Sequence, residues 1–403
     1  MTKPALAEPR RILMIAPTPF FADRGCHVQI AEEIWALQRQ GYEVRLVTYG
    51  LGRDVPYIKT DRIGFFPWYT KLEAGPTLHK FYLDPLLAFK AYAVAREFKP
   101  DVIHGHLHEG CVIGWLVQQF YRAPLLFDLQ GSLTGELLSY KFSLAKAKWL
   151  QDLWYGFERW IDQRADMVVT QSTDMRNELI NLFKVGADRV VLTYDGVNTN
   201  TFIPQEPDKA LQRQLGIPEN AKVIVYLGGL AEHQGTDDLV AAWPAVIKEV
   251  PDAFLLLMGY PNEDKYRARV KELGVEKSVL VTGKIPYDEA PRYLALGNIA
   301  VSPKRSATEA NGKIYNYMAC GLPTVAFDTV VNHDILGDLG VYVKEIGDVT
   351  GLANTMARLL KSPDEIERLS QQVRSKAVAD YSWDAVATRM TKAYRLAQRH
   401  YFA

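Results

Sequence analysis

The feature that most constrains this chain is an alternation that runs, stops and starts again. Short β-branched runs at 11–17, 43–49, 101–106, 124–130, 166–171 and 189–194 alternate with amphipathic stretches such as 28–40 and 86–98. Parallel strands need crossovers, and crossover helices cover both sheet faces, so this pattern predicts a parallel α/β sheet. A turn-rich passage, DGVNTNTFIP at 195–204, interrupts it, and a polar stretch continues to Ala221. Six new runs follow at 223–227, 253–259, 278–283, 299–303, 323–328 and 340–343. The expected architecture is two Rossmann-like, doubly wound domains of about six strands each, facing a cleft. We place the N-terminal domain at 1–200, the C-terminal domain at 201–383, and at 384–403 a helix that packs back on the first domain.

Charge narrows the partners. Lys+Arg and Asp+Glu both total 47 in 403 residues, which argues against a general nucleic-acid binder. Cys26, Cys111 and Cys320 are far apart and match no zinc spacing, so each reads as a small buried hydrophobe in a reducing, cytoplasmic setting. The apolar run near the N-terminus is too short for a bilayer span and reads as the first strand. Any membrane contact is then peripheral, at the inner face.

Ligands in such folds bind beyond the carboxyl ends of the strands. The segment SPKRSATEANGKIYNYMACGLP at 302–323 runs from a strand end into a helix stopped by Gly321 and Pro323. Thr308, Asn311 and Gly312 stand where that helix needs a cap. Lys304, Arg305 and Lys313 add positive charge near its N-terminus, which suits a phosphate or diphosphate. Lys313 and Asn316 are three apart and share a helix face, so a lysine over phosphates and an amide by the ribose would fit a nucleotide.

With Ser302, Pro303, Glu309, Gly312, Met318, Ala319, Gly321 and Pro323, this segment resembles the donor-nucleotide segment of the GT-B glycosyltransferases, the retaining group called family 4. The resemblance is strongest over 189–330. It implies a glycosyltransferase that moves a sugar from a nucleotide-diphosphate sugar, a UDP-sugar rather than a GDP-sugar, to an acceptor hydroxyl with retention, using neither cofactor nor metal. Alternatives from other classes are a sugar-nucleotide binding protein without transferase activity and a sugar-nucleotide epimerase of the same fold.

The carry-over is uneven. The family's ribose-binding glutamate falls on Asn316, and Glu309 would meet the sugar hydroxyls. Relatives use an arginine and a lysine where this chain has Gly229 and Gln234, after Gly228, and Lys304 is positioned to restore the lost charge. Gly25 matches the glycine of the first loop. Gln130 stands where many relatives have a histidine near the reacting sugar; it can bond a hydroxyl but is no general base. In DVIHGHLHEG, His104 and His106 share a strand face; a zinc site there is set aside because the resembled group needs no metal, and His104 reads as core, whereas His108 and Glu109 fall in the following loop and face the acceptor. The acceptor is a carbohydrate, a lipid-linked molecule or a small molecule. The aromatic, lysine-bearing stretches 65–90 and 149–160 read first as core and second as a membrane contact. Closure about 197–204 would assemble the site.

Overall fold

The computed structural model describes residues 8–22, 25–72, 77–134, 148–305 and 311–403. The chain forms two compact units, one of residues 1–196 with 383–403, the other of 197–382.

In chain order the strands are β1 (Arg11–Ala16), β2 (Glu43–Thr48), β3 (Lys59–Arg62), β4 (Val102–His106), β5 (Leu125–Leu129), β6 (Met167–Thr170) and β7 (Val190–Leu192) in the first unit. In the second they are β8 (Lys222–Leu227), β9 (Ala253–Met258), β10 (Val279–Gly283), β11 (Ile299–Ser302), β12 (Thr324–Phe327) and β13 (Val341–Val343). The first sheet has the order β3-β2-β1-β4-β5-β6-β7, the second β10-β9-β8-β11-β12-β13. All pairings are parallel. Each order reverses once, between β1 and β4 and between β8 and β11, the switch points beside which such folds bind ligands.

The apolar strands follow from their burial. β1, RILMIA, is covered on both faces, which requires an unbroken hydrophobic run rather than an alternating one. Helix Thr236–Glu249 lays Leu239, Val240, Trp243 and Val246 on the second sheet. Helix Trp383–Tyr401 belongs to the first unit, where Val386, Ala387, Met390, Ala393, Tyr394 and Ala397 complete the core of one sheet face. Gln40 secures it by donating to Asp384 O at 3.2 Å and Thr388 Oγ1 at 3.1 Å.

Two elements differ from the sequence expectation. The polar stretch before Ala221 holds a helix, Lys209–Gln214, capped by Asp208, which accepts from Ala210 N and Leu211 N. The first sheet has a seventh strand, β3, with sequence KTDR and no apolar run to announce it. Side chains hold this edge strand. Buried Arg45 on β2 makes a two-pronged contact with Asp61 at 2.8 Å through both Nε and Nη2, and its Nη1 reaches Glu97 at 2.8 Å. Bidentate guanidinium–carboxylate pairs are among the strongest hydrogen-bonded contacts, and breaking a buried one strands the remaining charge. Arg45→Ala should therefore cost on the order of 3 kcal/mol in urea unfolding. A loss within error of zero would show that β3 holds without this pair.

Candidate functional site

In the second unit the site grows from two strand ends and a helix. β8 runs into Gly228 and Gly229, β11 into Pro303 and Lys304, and the helix Lys313–Ala319 packs beside them. Lys313 Nζ donates to Gln234 Oε1 at 2.9 Å and to Tyr226 Oη at 3.2 Å, and it lies 4.4 Å from the centroid of the Tyr226 ring. These partners are neutral. Burial, reinforced by the nearby positive charge of Lys304, pulls the Lys313 amine down to about 7. Lys304 itself is buried. Gly228 is required by this arrangement: a Cβ there would stand 2.8 Å from Lys313 Cε and Nζ. Gly235 has φ +72, and a Cβ on it would run into Pro303 O, so the loop 228–235 closes directly onto the end of β11. Gly228, Gly229, Gln234, Lys304 and Lys313 thus converge, with half-buried Asn316 one turn along.

Side chains that no motif announced hold this corner. Leu227 N donates to Tyr317 Oη at 2.7 Å, joining the helix to the end of β8. Arg374 caps the helix's other end, its Nη1 donating to Ala319 O at 2.8 Å and to Phe202 O at 2.8 Å. Beneath the site, Asn311 Nδ2 donates to Asn332 Oδ1 at 2.8 Å and to Ser302 Oγ at 3.0 Å.

Three expectations for this segment need correction. The helix Lys313–Ala319 has seven residues and no side-chain cap, so its dipole is a minor source of positive charge. Gly312 occupies the cap position with helical backbone, while Asn311 is committed to the buried amide network. Arg305 is not a spare cation, because its Nε and Nη2 grip Asp238 at 2.6 and 2.5 Å. Thr308 and Glu309 lie outside the described residues.

In the first unit, the loop after β1 is clamped from several sides. Arg62, at the end of β3, donates to Phe20 O at 2.5 Å and Arg53 O at 2.9 Å and pairs with Asp54 at 2.8 Å. Ala22 N donates to His27 Nδ1 at 2.9 Å, and His27 Nε2 lies 2.7 Å from Thr18 Oγ1. Gly25 opens the helix Gly25–Arg39 that follows, and Cys26 beside it is only part-buried, unlike Cys111 and Cys320. At the end of β5, Gln130 Nε2 donates to Asp128 Oδ2 at 2.9 Å, which also lies 2.9 Å from His106 Nδ1.

His108 and Glu109 are not in a loop. They sit in the first turn of the helix Leu107–Phe120, and His108 is buried, which withdraws it from direct contact with an acceptor. Its Nε2 lies 3.5 Å from Glu158 and 3.7 Å from Asp162. Burial alone would lower His108, but Glu158, Asp162 and Glu109 outweigh it and hold the imidazole above its ordinary value. Glu158 in turn accepts from Leu133 N at 2.8 Å and Thr134 N at 2.9 Å. His108 thus balances the carboxylate that fixes the residues just after Gln130. The core reading of 65–90 holds for Tyr69, Leu83 and Leu87 but fails for Phe65, Trp68, Leu78, Phe81 and Phe89, all largely exposed.

Lys313 carries a stability cost that is readable by pH. Its folded value lies below that of an ordinary lysine, so the charged form is penalised below about pH 7 and the penalty fades as pH rises towards 10. Lys313→Met should raise the melting temperature at pH 6.5, by on the order of 1 kcal/mol or more in stability, and not at pH 10. Equal effects at both values would exclude an uncompensated amine.

Residues 24–201 match the family described as Glycosyltransferase Family 4, and residues 207–376 the family described as Glycosyl transferases group 1. The D-inositol 3-phosphate glycosyltransferase of Thermobispora bispora is 26% identical over 395 residues, covering 92% of this chain and 89% of that protein. Sucrose-phosphate synthase from Thermosynechococcus elongatus superposes with a TM-score of 0.76 at 22% identity, covering 96% of this chain and 98% of that one. Anabaena HepE in complex with UDP and glucose superposes with a TM-score of 0.72 at 17% identity, covering 94% and 98%.

Proposed function

The chain belongs to the GT-B glycosyltransferases of the group 1 and family 4 type, and on that premise we propose that its second unit binds a uridine-diphosphate sugar through Lys313 and Lys304. The observation that carries this reading is the Lys313 amine held among neutral partners beside a second lysine. Such a corner stabilises an anion more than it stabilises the empty protein. A diphosphate leaving group supplies the missing negative charge, and its charge grows as the glycosidic bond breaks. The transition state is oxocarbenium-like, so holding the departing diphosphate is the main task of the protein.

The remaining roles follow the family resemblance. Asn316, on the same helix face as Lys313, bonds the ribose, and Glu309 meets the sugar hydroxyls. Gly228 and Gly229 let the backbone approach the diphosphate. Gln130, fixed by Asp128, donates to a sugar or acceptor hydroxyl and takes no proton. With no base at that position, the leaving phosphate accepts the acceptor's proton on the face it leaves, and configuration is retained. Gly25 and the clamped loop before it border the acceptor.

The first unit also supports an acceptor presented at a lipid surface. Helix Lys148–Asp162 exposes Trp149, Leu153 and Phe157 at i, i+4 and i+8, and helix Lys80–Phe98 exposes Phe81 and Phe89 beside Lys80 and Lys90. Apolar stripes with flanking lysines suit the interface of an anionic bilayer. Among the described residues no helix is long and apolar enough to cross a membrane.

Two measurements test these readings. An anion favours charged Lys313, so donor binding takes up a proton once pH exceeds about 7. Affinity for an intact UDP-sugar should be level below pH 7 and fall above it, by up to about tenfold per pH unit. Lys313→Met should weaken binding and flatten that profile, and Lys304→Ala should weaken it without flattening it. Binding by the unaltered chain that ignores pH between 6 and 9 would refute the role of Lys313. Separately, vesicles rich in phosphatidylserine should retain the unaltered chain on flotation but not the Phe81→Ser, Phe89→Ser double variant. Equal retention, or none, would leave a soluble acceptor as the reading.

A further inference from the structure

Away from the donor corner, the first unit buries a cluster that the proposed sugar transfer draws on only through Asp128, the residue that fixes Gln130. His104 and His106 leave the same face of β4 with their rings stacked 4.2 Å apart, and Asp128 comes from β5 alongside. One ligand atom from each of these three side chains lies within 4.8 Å of the other two. Their exposures are 0%, 1% and 3%, so all three are closed to bulk water. Glu33, from the helix Gly25–Arg39, reaches to 3.7 Å from His104 Nδ1. Asp195, the residue before the last of the unit's first segment, is half-buried with its Oδ1 enclosed, close enough to Asp128 to feel its charge.

The charges in this cluster do not balance. Glu33, Asp128 and Asp195 bring three carboxyl groups, and among the described residues no lysine or arginine pairs with any of them; His104 lies near Glu33 and His106 near Asp128. Stacked imidazoles repel each other when both are protonated, so they cannot supply two positive charges. Unpaired carboxyl groups in such a place must either take up protons or meet a cation, and a bound cation relieves the cost of ionising them. Valences are open as well. His104 Nε2, His106 Nε2, Glu33 Oε1 and Asp195 Oδ1 are buried without a hydrogen-bond partner, although buried polar atoms are nearly always satisfied.

We propose that His104, His106 and Asp128 form a site for one divalent first-row metal ion, with zinc the best match to an imidazole–carboxylate donor set. Glu33 lies close enough to complete the coordination or to bond a ligand. The ion is structural and bears on sugar transfer only by holding Asp128. It pins β4 to β5 and, through Glu33 and the Tyr394 hydroxyl 3.0 Å from His104 Nδ1, to the helices Gly25–Arg39 and Trp383–Tyr401. It also holds Asp128, which orients Gln130.

The test uses the full chain, stripped with a chelator and repleted with about one equivalent of Zn²⁺ or, separately, Co²⁺. The expected results are stoichiometric retention of metal by mass spectrometry, a higher melting temperature with Zn²⁺, and visible absorption bands with Co²⁺. His106→Gln and Asp128→Asn should each lose the bands and the thermal shift while far-ultraviolet circular dichroism stays unchanged. Absence of bands and of a thermal shift in the unaltered chain overturns the site, whether or not the variants fold. Retention of both by folded variants overturns it too, because the metal then sits elsewhere.

Discussion

A parallel sheet covered on both faces has nowhere to put polar chemistry except beyond its strand ends, and both units obey that restriction. Each strand order reverses once, so each sheet has one place where consecutive crossover connections diverge and leave room. In the second unit the loops after β8 and β11 fill that place with glycines and lysines. In the first, the loop after β1 occupies it, held by Arg62, Arg53 and His27. The polar side chains that do lie within the strands are conspicuous for the same reason. Arg45, His104 and His106 have almost no exposure, and each is engaged by a named partner.

The two units carry opposite electrostatic imbalances. The second holds an amine that burial discourages from being charged, among a phenol, an amide and another lysine. The first holds carboxyl groups that burial discourages from ionising: Glu33 is pushed well up, and Asp162 and Asp195 are each pushed up to about 7. The formal charge of the chain is nonetheless zero. A balanced total therefore conceals two local surpluses, each of which lowers the cost of binding an ion of the opposite sign.

How much of this was legible in the sequence depended on whether a signal was local. The strands read clearly because burial on both faces forces continuous apolar runs, and every such run became a strand. β3 did not read, because an edge strand held by Arg45–Asp61 needs no apolar residues. Lys313 and Lys304 were legible from their place beside a helix start, Gly228 and Gly229 from the family resemblance, and they do converge. Tyr226, Gln234 as the partner of Lys313, Tyr317 and Arg374 depend on contacts between distant segments, which spacing does not encode. His108 misled for a related reason. A strand end is ordinarily followed by a loop, but here the helix begins at Leu107, and its first turn is roofed by Glu158 and Asp162 from a distant helix. The exposed aromatics of 65–90 misled in the other direction, because composition cannot separate a core from a surface made to meet something apolar.

The return of the chain to its first unit bears on how the molecule is made. Residues 197–382 form a unit that is complete as soon as Ser382 has been synthesised. The first unit has all of its strands by Leu192, yet one face of its sheet, covered in part by the helix Gly25–Arg39, stays incomplete until Trp383–Tyr401 delivers Met390, Ala393 and Tyr394. Domains usually mature in the order in which they leave the ribosome. Here the earlier one must wait, with part of its apolar face open, for residues 383–403, while the later one can fold ahead of it.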